Sequence, residues 1–377
     1  WNQNVCGDAF ASQRFKDEGR LVAVLSDGLG SGVKANILAT MTARMALKFA
    51  VAGSDLLHYS EVMMEALPVC QVRKISYATF SIVDCDQEGT IRVVEEGNPE
   101  FIHLRGSSPQ KVPYHAVASK LFPERRMRVA DMALATGDRL VFCSDGVTQA
   151  GMGSPGRRLG WRNEGLEEYL AWTLAKSPSI SSRELSRSVV EEAIRQEPAC
   201  LPMDDASCLA LYFRQPRRLM VMTGPPYDEN HDAECAARLD AFPGRKVICG
   251  GSTAELAARE LGRQLEMVAE SFTSRSGIPP YFNMDGMDLV TEGILTLTRV
   301  ARNLEDAAPA PAPDAAGRLL ELLLDSDSIT FMVGTRINEA HQDPTLPADL
   351  DIRRNVVKRI ALALGERHLK EVETVFV

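Results

Sequence analysis

The apolar pattern changes its period along the chain, and the changes mark out two regions. "LVAVLS" (21–26) is a continuous apolar run of the length of a buried strand, and it leads into the turn "DGLGSG". Beyond the turn, Val33, Ile37, Met41 and Met45 recur at four-residue intervals. That spacing predicts one long helix with these residues on its buried face. Strand-like runs follow at 75–84, 90–96, 100–106 and 139–145, with "DQEG" (86–89) and "GNP" (97–99) as turns between the first three. Helical patterns near 164–176 and 182–197 and a strand at 206–213 close the region. Strands joined by tight turns pair antiparallel and need helices over their faces, so residues 1–216 read as an α+β domain.

Past "RQPRR" (214–218) the order becomes strand, loop, helix: 218–224 then 232–242, and 245–251 then 252–265. The two helical segments share an Ala-Glu-x-Ala-Ala-Arg run, which good helix formers produce without any repeat. "DAAPAPAPDAAG" (306–317) reads as a Pro/Ala linker or surface loop. A strand at 328–334, a helix near 349–364 and a strand at 371–377 complete a smaller α/β domain over 217–377.

Composition narrows the class. The 377 residues are 45% hydrophobic and 25% charged, ordinary for a soluble globular chain of two domains. No apolar run approaches the ~18 residues of a membrane span, and no signal-peptide pattern opens the chain, so no membrane partner is expected. The start at Trp1 fits a piece of a longer protein. Residues 1–216 carry 24 basic and 26 acidic side chains and the remainder 18 and 25, which argues against nucleic acid as a partner. The eight cysteines form no CxxC pair and read as free thiols of a reducing cytoplasm. The six histidines show no zinc-site spacing.

Two nucleotide readings of "DGLGSG" fail. A dinucleotide fingerprint starting at Gly28 needs glycine where Val33 stands, and a Walker loop needs a terminal Gly-Lys-Ser/Thr. The aspartates carry more. Asp27 follows a strand and precedes a helix, Asp145 has the same setting after "RLVFC", and Asp8 and the pair Asp204-Asp205 flank further strands or turns. Any one Asp before Gly is ordinary turn chemistry. Four carboxylates delivered to strand ends are an oxygen-ligand set for a hard divalent cation.

In this order and spacing, "GDAF", "SDGLGSG", "GDRLVFCSDGVTQA" and "DDASCLALYF" resemble the PPM metal-dependent protein phosphatases, closest to the sporulation stage II E (SpoIIE) branch. The resemblance covers roughly residues 1–214. It implies a two-sheet antiparallel β-sandwich flanked by helices, and a serine/threonine phosphatase using two Mn²⁺ or Mg²⁺ ions. Asp27 would bridge the ions and the Gly28 carbonyl would bind one of them. Asp145 and Asp204 would hold one metal, with Asp8 on the opposite side and Asp205 in support. A hydroxide between the ions would attack phosphorus, with Asp27 and Asp145 as the central acids. Eukaryotic members have a histidine where Leu29 stands, and Arg14 is the nearest candidate for a phosphate clamp. The branch implies a phosphoprotein substrate of the anti-anti-sigma kind. The alternative is a signalling module that binds metal, turns over poorly and acts through its C-terminal domain.

In the second domain "ICGGSTAEL" places Gly250, Gly251, Ser252 and Thr253 between a strand and a helix start. Ser252 or Thr253 is expected to cap the helix, whose free N–H groups suit a small anionic ligand. "MDGMDLVTEG" (284–293) reads as an acidic turn entering another helix.

Overall fold

The run 21–26 is apolar at consecutive positions because its strand is covered on both faces. In the computed structural model it lies within β2 (Arg20–Gly28), whose residues Val22 to Ser26 are all buried. The structure describes residues 5–15, 17–30, 32–51, 56–66, 78–118, 126–269, 271, 277–306, 312–336 and 349–377. The chain divides into two compact units, Trp1–Gln215 and Pro216–Val377.

The first unit holds two antiparallel sheets. The larger has the order β1 (Asp8–Phe15), β2, β3 (Ala78–Asp86), β4 (Thr90–Glu96), β8 (Arg126–Ala133), β7 (Tyr114–Ala118). The smaller has the order β10 (Cys208–Tyr212), β9 (Asp138–Cys143), β5 (Ile102–Arg105), β6 (Ser108–Gln110). Leu25, Val83, Ile91 and Val93 from one sheet meet Leu140, Phe142 and Leu209 from the other, so the inner faces share a core. Helices α1 (Val33–Val51) and α2 (Leu56–Ala66) cover the outer face of the larger sheet. Helices α3 (Asp145–Thr148), α4 (Arg162–Lys176) and α5 (Ser182–Gln196) cover the smaller one. Helix α5 starts on a capping box: the Ser181 hydroxyl accepts from the Glu184 amide, and the Glu184 carboxylate accepts from the Ser181 amide.

Two expectations are corrected here. Val33, Ile37 and Met41 are each more than half exposed, and only Met45 packs partly against the sheet. The buried face of α1 is Ala35, Ala39, Thr42, Ala43, Ala46, Leu47 and Ala50, small residues that let the helix backbone settle close to the strands. The second concerns Gly97–Pro99, which does not make a hairpin. β4 pairs with β3 and β8, whereas β5 pairs with β9 and β6, so this turn carries the chain from one sheet to the other. Asn98 is buried at the crossing and its amide donates to the Ser81 hydroxyl (3.0 Å).

The second unit is a seven-stranded sheet in the order β13 (Glu266–Met267), β14 (Phe282–Asn283), β15 (Leu289–Thr291), β12 (Arg245–Cys249), β11 (Arg218–Thr223), β16 (Ser328–Val333), β17 (Glu371–Phe376). The five strands from β15 to β17 are parallel. Helices α6 (Asp232–Asp240) and α7 (Gly251–Leu261) cover one face, and α8 (Ile294–Glu305), α9 (Ala315–Asp325) and α10 (Asp349–His368) cover the other. The stretch 284–293 is more than a turn, because its centre is strand β15. In the stretch 306–317, residues 307–311 lie outside the described residues, and Asp314 caps α9 by accepting from the Gly317 amide. No helix among the described residues is long and apolar enough to cross a membrane.

Candidate metal centre

Pairing of β1 with β2 sets Asp8 directly opposite Asp27. Like charges in that position destabilise a sheet unless something compensates them. Both carboxylate oxygens of Asp8 are buried and make no hydrogen bond of good geometry, although Ser144 and Ser207 lie close. Asp145 opens α3 at the end of β9, within hydrogen-bonding reach of Asp27, and is steadied by the Gln149 amide donating to Oδ2 (2.8 Å). Asp204, in the loop before β10, adds its field to Asp27 and feels Asp145 and Asp205.

The electrostatics record this crowding. Burial, then Asp8, Asp145 and Asp204, push the Asp27 carboxyl up to about 9. Burial pushes Asp8 up to about 6 against the lowering effect of Ser207 and Ser144. Asp204 is raised by burial and by its acidic neighbours. No described basic side chain ion-pairs with any of the four. Among the described residues no three acids, cysteines or histidines converge on a point at ligand distance, so the group is a repelling carboxylate cluster and not a closed coordination sphere.

Main chain is brought unusually close around this cluster. A Cβ on Gly28 would stand 2.2 Å from the Ala35 carbonyl oxygen, and one on Gly146 would stand 2.1 Å from the Asp205 carbonyl oxygen. The glycine of each Asp-Gly pair therefore admits a neighbouring backbone. The serine of each triplet is a tether: the Ser26 hydroxyl donates to the Thr79 carbonyl (2.7 Å), and the Ser144 hydroxyl accepts from the Ser207 amide (2.9 Å). Asp205 Oδ2 accepts from the Gly7 amide (2.6 Å), so it holds the start of β1 and with it Asp8. Sequence reading passed over Gly7, Ser144 and Ser207; the only signal for Ser144 was its place in the second "SDG".

Arg14 does not reach the cluster. It lies six residues from Asp8 along the same strand, about 20 Å at strand rise, opposite Leu21. Leu29 is half-buried after the end of β2.

In the second unit Gly250 precedes α7 in a left-handed-region conformation (φ 135°) and no side chain caps the helix. Neither Ser252 nor Thr253 plays the expected capping role. Thr253 is fully buried and its hydroxyl accepts from the Gly224 amide (2.9 Å), tying α7 to the end of β11. Ser252 is exposed, so Gly250, Gly251 and Ser252 are what the turn presents.

Comparison with protein families matches "Stage II sporulation protein E (SpoIIE)" over residues 17–214. Asp27, Gly28, Asp145 and Asp204 fall inside that stretch and Asp8 precedes it. No curated protein matches the chain. Among solved structures, the RsbU and RsbW domains of a Mycobacterium tuberculosis protein are similar at 20% identity, over 63% of this chain and 63% of that one, with TM-score 0.46. The PP2C phosphatase domain of Bacillus subtilis SpoIIE with a fragment of its regulatory domain is similar at 21% identity, over 54% of this chain and 57% of that one, with TM-score 0.43. RsbX in complex with magnesium is similar at 18% identity, over 55% of this chain and 88% of that one, with TM-score 0.35. The chain thus spans less than two thirds of the first two structures. With a family match over more than half its length, the chain belongs to the stage II sporulation protein E family.

Proposed function

We propose that the first unit hydrolyses phosphoserine or phosphothreonine on a regulatory protein, at a centre that takes two Mn²⁺ or Mg²⁺ ions. One observation carries the reading: buried Asp8 faces half-buried Asp27 beside Asp145, with the oxygens of Asp8 unpartnered and no described basic side chain ion-paired to them. Such a donor set fits hard divalent cations, which prefer carboxylate and carbonyl oxygen. Asp8, Asp27, Asp145, Asp204 and the Gly28 carbonyl would hold the ions. Bound there, the ions supply Lewis acidity that activates water and neutralises charge on the phosphoryl group.

The chain's own residues set the geometry. Gln149 fixes the Asp145 carboxylate, Asp205 fixes the Gly7 backbone beside Asp8, and the two glycines let helix and loop backbones close around the acids. Leu29 offers no proton, so the leaving alkoxide takes its proton from water or from another group of the chain. Family membership motivates a phosphoprotein substrate of the anti-anti-sigma kind. The second unit is assigned a regulatory role, with Gly250, Gly251 and Ser252 receiving a small anion at the start of α7.

The test is hydrolysis of p-nitrophenyl phosphate and of a phosphothreonine peptide, with and without Mn²⁺ or Mg²⁺. Wild type is expected to turn over only with metal, and Asp145→Asn to lose on the order of 10²-fold or more. Wild type inert with either ion would overturn the reading.

A further inference from the structure

β9 and β10 run antiparallel, and their register sets Cys143 directly opposite Cys208. On the next rung the Ser144 amide donates to the Ser207 carbonyl (3.0 Å). Hydrogen-bonded and non-hydrogen-bonded pairs alternate along such a ladder, so Cys143 and Cys208 form a non-hydrogen-bonded pair. Cα atoms in that class approach to about 4.5 Å, with the side chains at their closest. A disulfide spans Cα separations of about 4.4–6.8 Å, which includes this spacing. The two thiols lie within hydrogen-bonding distance of each other, and both are free. No other two described cysteines are register partners. Exposure is unequal: Cys143 is 4% exposed, whereas Cys208 is half-buried.

We propose that Cys143 and Cys208 are a dithiol–disulfide couple that fastens β9 to β10 beside Asp145. With a low-molecular-weight disulfide as oxidant, the Cys208 sulfur attacks one oxidant sulfur, forms a mixed disulfide and expels the first small thiol. The Cys143 sulfur then attacks the Cys208 sulfur, closes the intramolecular bond and expels the second small thiol. The oxidant gains two electrons, the cysteine pair loses two, and the two cysteine protons end on the two small thiols. The new bond sits one rung from Ser144, whose hydroxyl meets the Ser207 amide and the Asp205 carbonyl. The cross-link therefore fastens the junction between the start of α3 and the 204–207 loop. This inference does not depend on metal binding or on turnover.

The experiment treats the full chain with oxidised glutathione in the absence of divalent metal, alkylates remaining thiols and maps the peptides by mass. A linked peptide pair containing Cys143 and Cys208, released by dithiothreitol, is expected. In the linked form the Ser144 and Ser207 amides should exchange with deuterium several-fold more slowly. Cys143→Ser should instead hold glutathione on Cys208. Alkylation of both cysteines after treatment, or a wild-type mixed disulfide on Cys208 that Cys143 never resolves, overturns the couple. A cross-link that leaves the two amide exchange rates unchanged overturns its fastening role. The wild-type map decides even if the serine variant fails to fold.

Discussion

Gly28 and Gly146 each follow an aspartate of the cluster, and at both the place of a Cβ is taken by main chain from another segment. Backbone cannot rotate away as a side chain can, so Gly28→Ala or Gly146→Ala must shift helix α1 or the 204–207 loop. Each is expected to destabilise the first unit by about 1–3 kcal/mol, the usual cost of overpacking a tight site. Gly251→Ala is the control, since nothing stands within 4 Å of its Cβ and its φ is ordinary; a change under ~0.5 kcal/mol is expected there. Urea midpoints that fell no further for Gly146→Ala than for Gly251→Ala would refute the account. The aspartates were legible at this scale because Asp-Gly after an apolar run recurs twice in the sequence. The reason for the glycines was not, because Ala35 and Asp205 reach them from other segments, Asp205 from far along the chain. Asp205 itself, implied only as a support, acquires a definite task through the Gly7 amide.

At the scale of elements, four strands of the larger sheet are tied together through one buried acid. Glu95 on β4 accepts from the Ser81 hydroxyl on β3 (2.9 Å) and the Tyr114 hydroxyl on β7 (3.1 Å), and pairs with Arg128 on β8 (3.4 Å). Burial pushes its carboxyl up to about 7, against the lowering effect of Arg128, Ser81 and Tyr114. The folded value lies above the ordinary one near 4.5, so the native state holds this proton more tightly than the unfolded chain does. Its stabilising contribution is full below about pH 4.5 and lost as pH rises through about 7, a span on the order of 3 kcal/mol. Glu95→Gln is expected to flatten that slope, so the variant gains on wild type between these pH values in urea unfolding. Parallel pH profiles for the two proteins would count against it. Helix α1 shows why element patterns mislead. Val33, Ile37 and Met41 recur every four positions and face outward, while the face on the sheet is mostly alanine. A size-weighted hydrophobic pattern therefore points to the wrong side, because close helix–sheet approach selects for small volume. The crossing at Gly97–Pro99 was hidden for a related reason: a turn sequence specifies a bend, and the buried partners of Asn98 decide which sheet receives the next strand.

For the whole molecule, the cores determine what unfolds together. Three apolar clusters belong to the first unit and two to the second, and no residue is shared between the two sets. The change of sequence grammar near 214–218 was legible because antiparallel hairpins and parallel strand–helix units differ in their spacing of turns. The strands at 114–118 and 126–133, and the pairing of the short edge strands β13 and β14, were not legible, since short segments with mixed polarity carry little period. Separate cores predict two thermal transitions, each responding to its own ligand. Mn²⁺ at a hundred times its dissociation constant should stabilise the first unit by ~2.7 kcal/mol, a rise of roughly 5–10 °C in its midpoint, and leave the second unmoved. Inorganic phosphate should raise the second transition and lose that effect in Gly250→Val, which blocks the left-handed turn before α7. Calorimetry of the full chain, with tryptophan fluorescence assigning one transition to the first unit through Trp161 and Trp172, separates the two. A single transition would contradict the division of cores, and a Mn²⁺ shift confined to the transition without a fluorescence change would contradict the proposed metal site between β1, β2, β9 and the 204–207 loop.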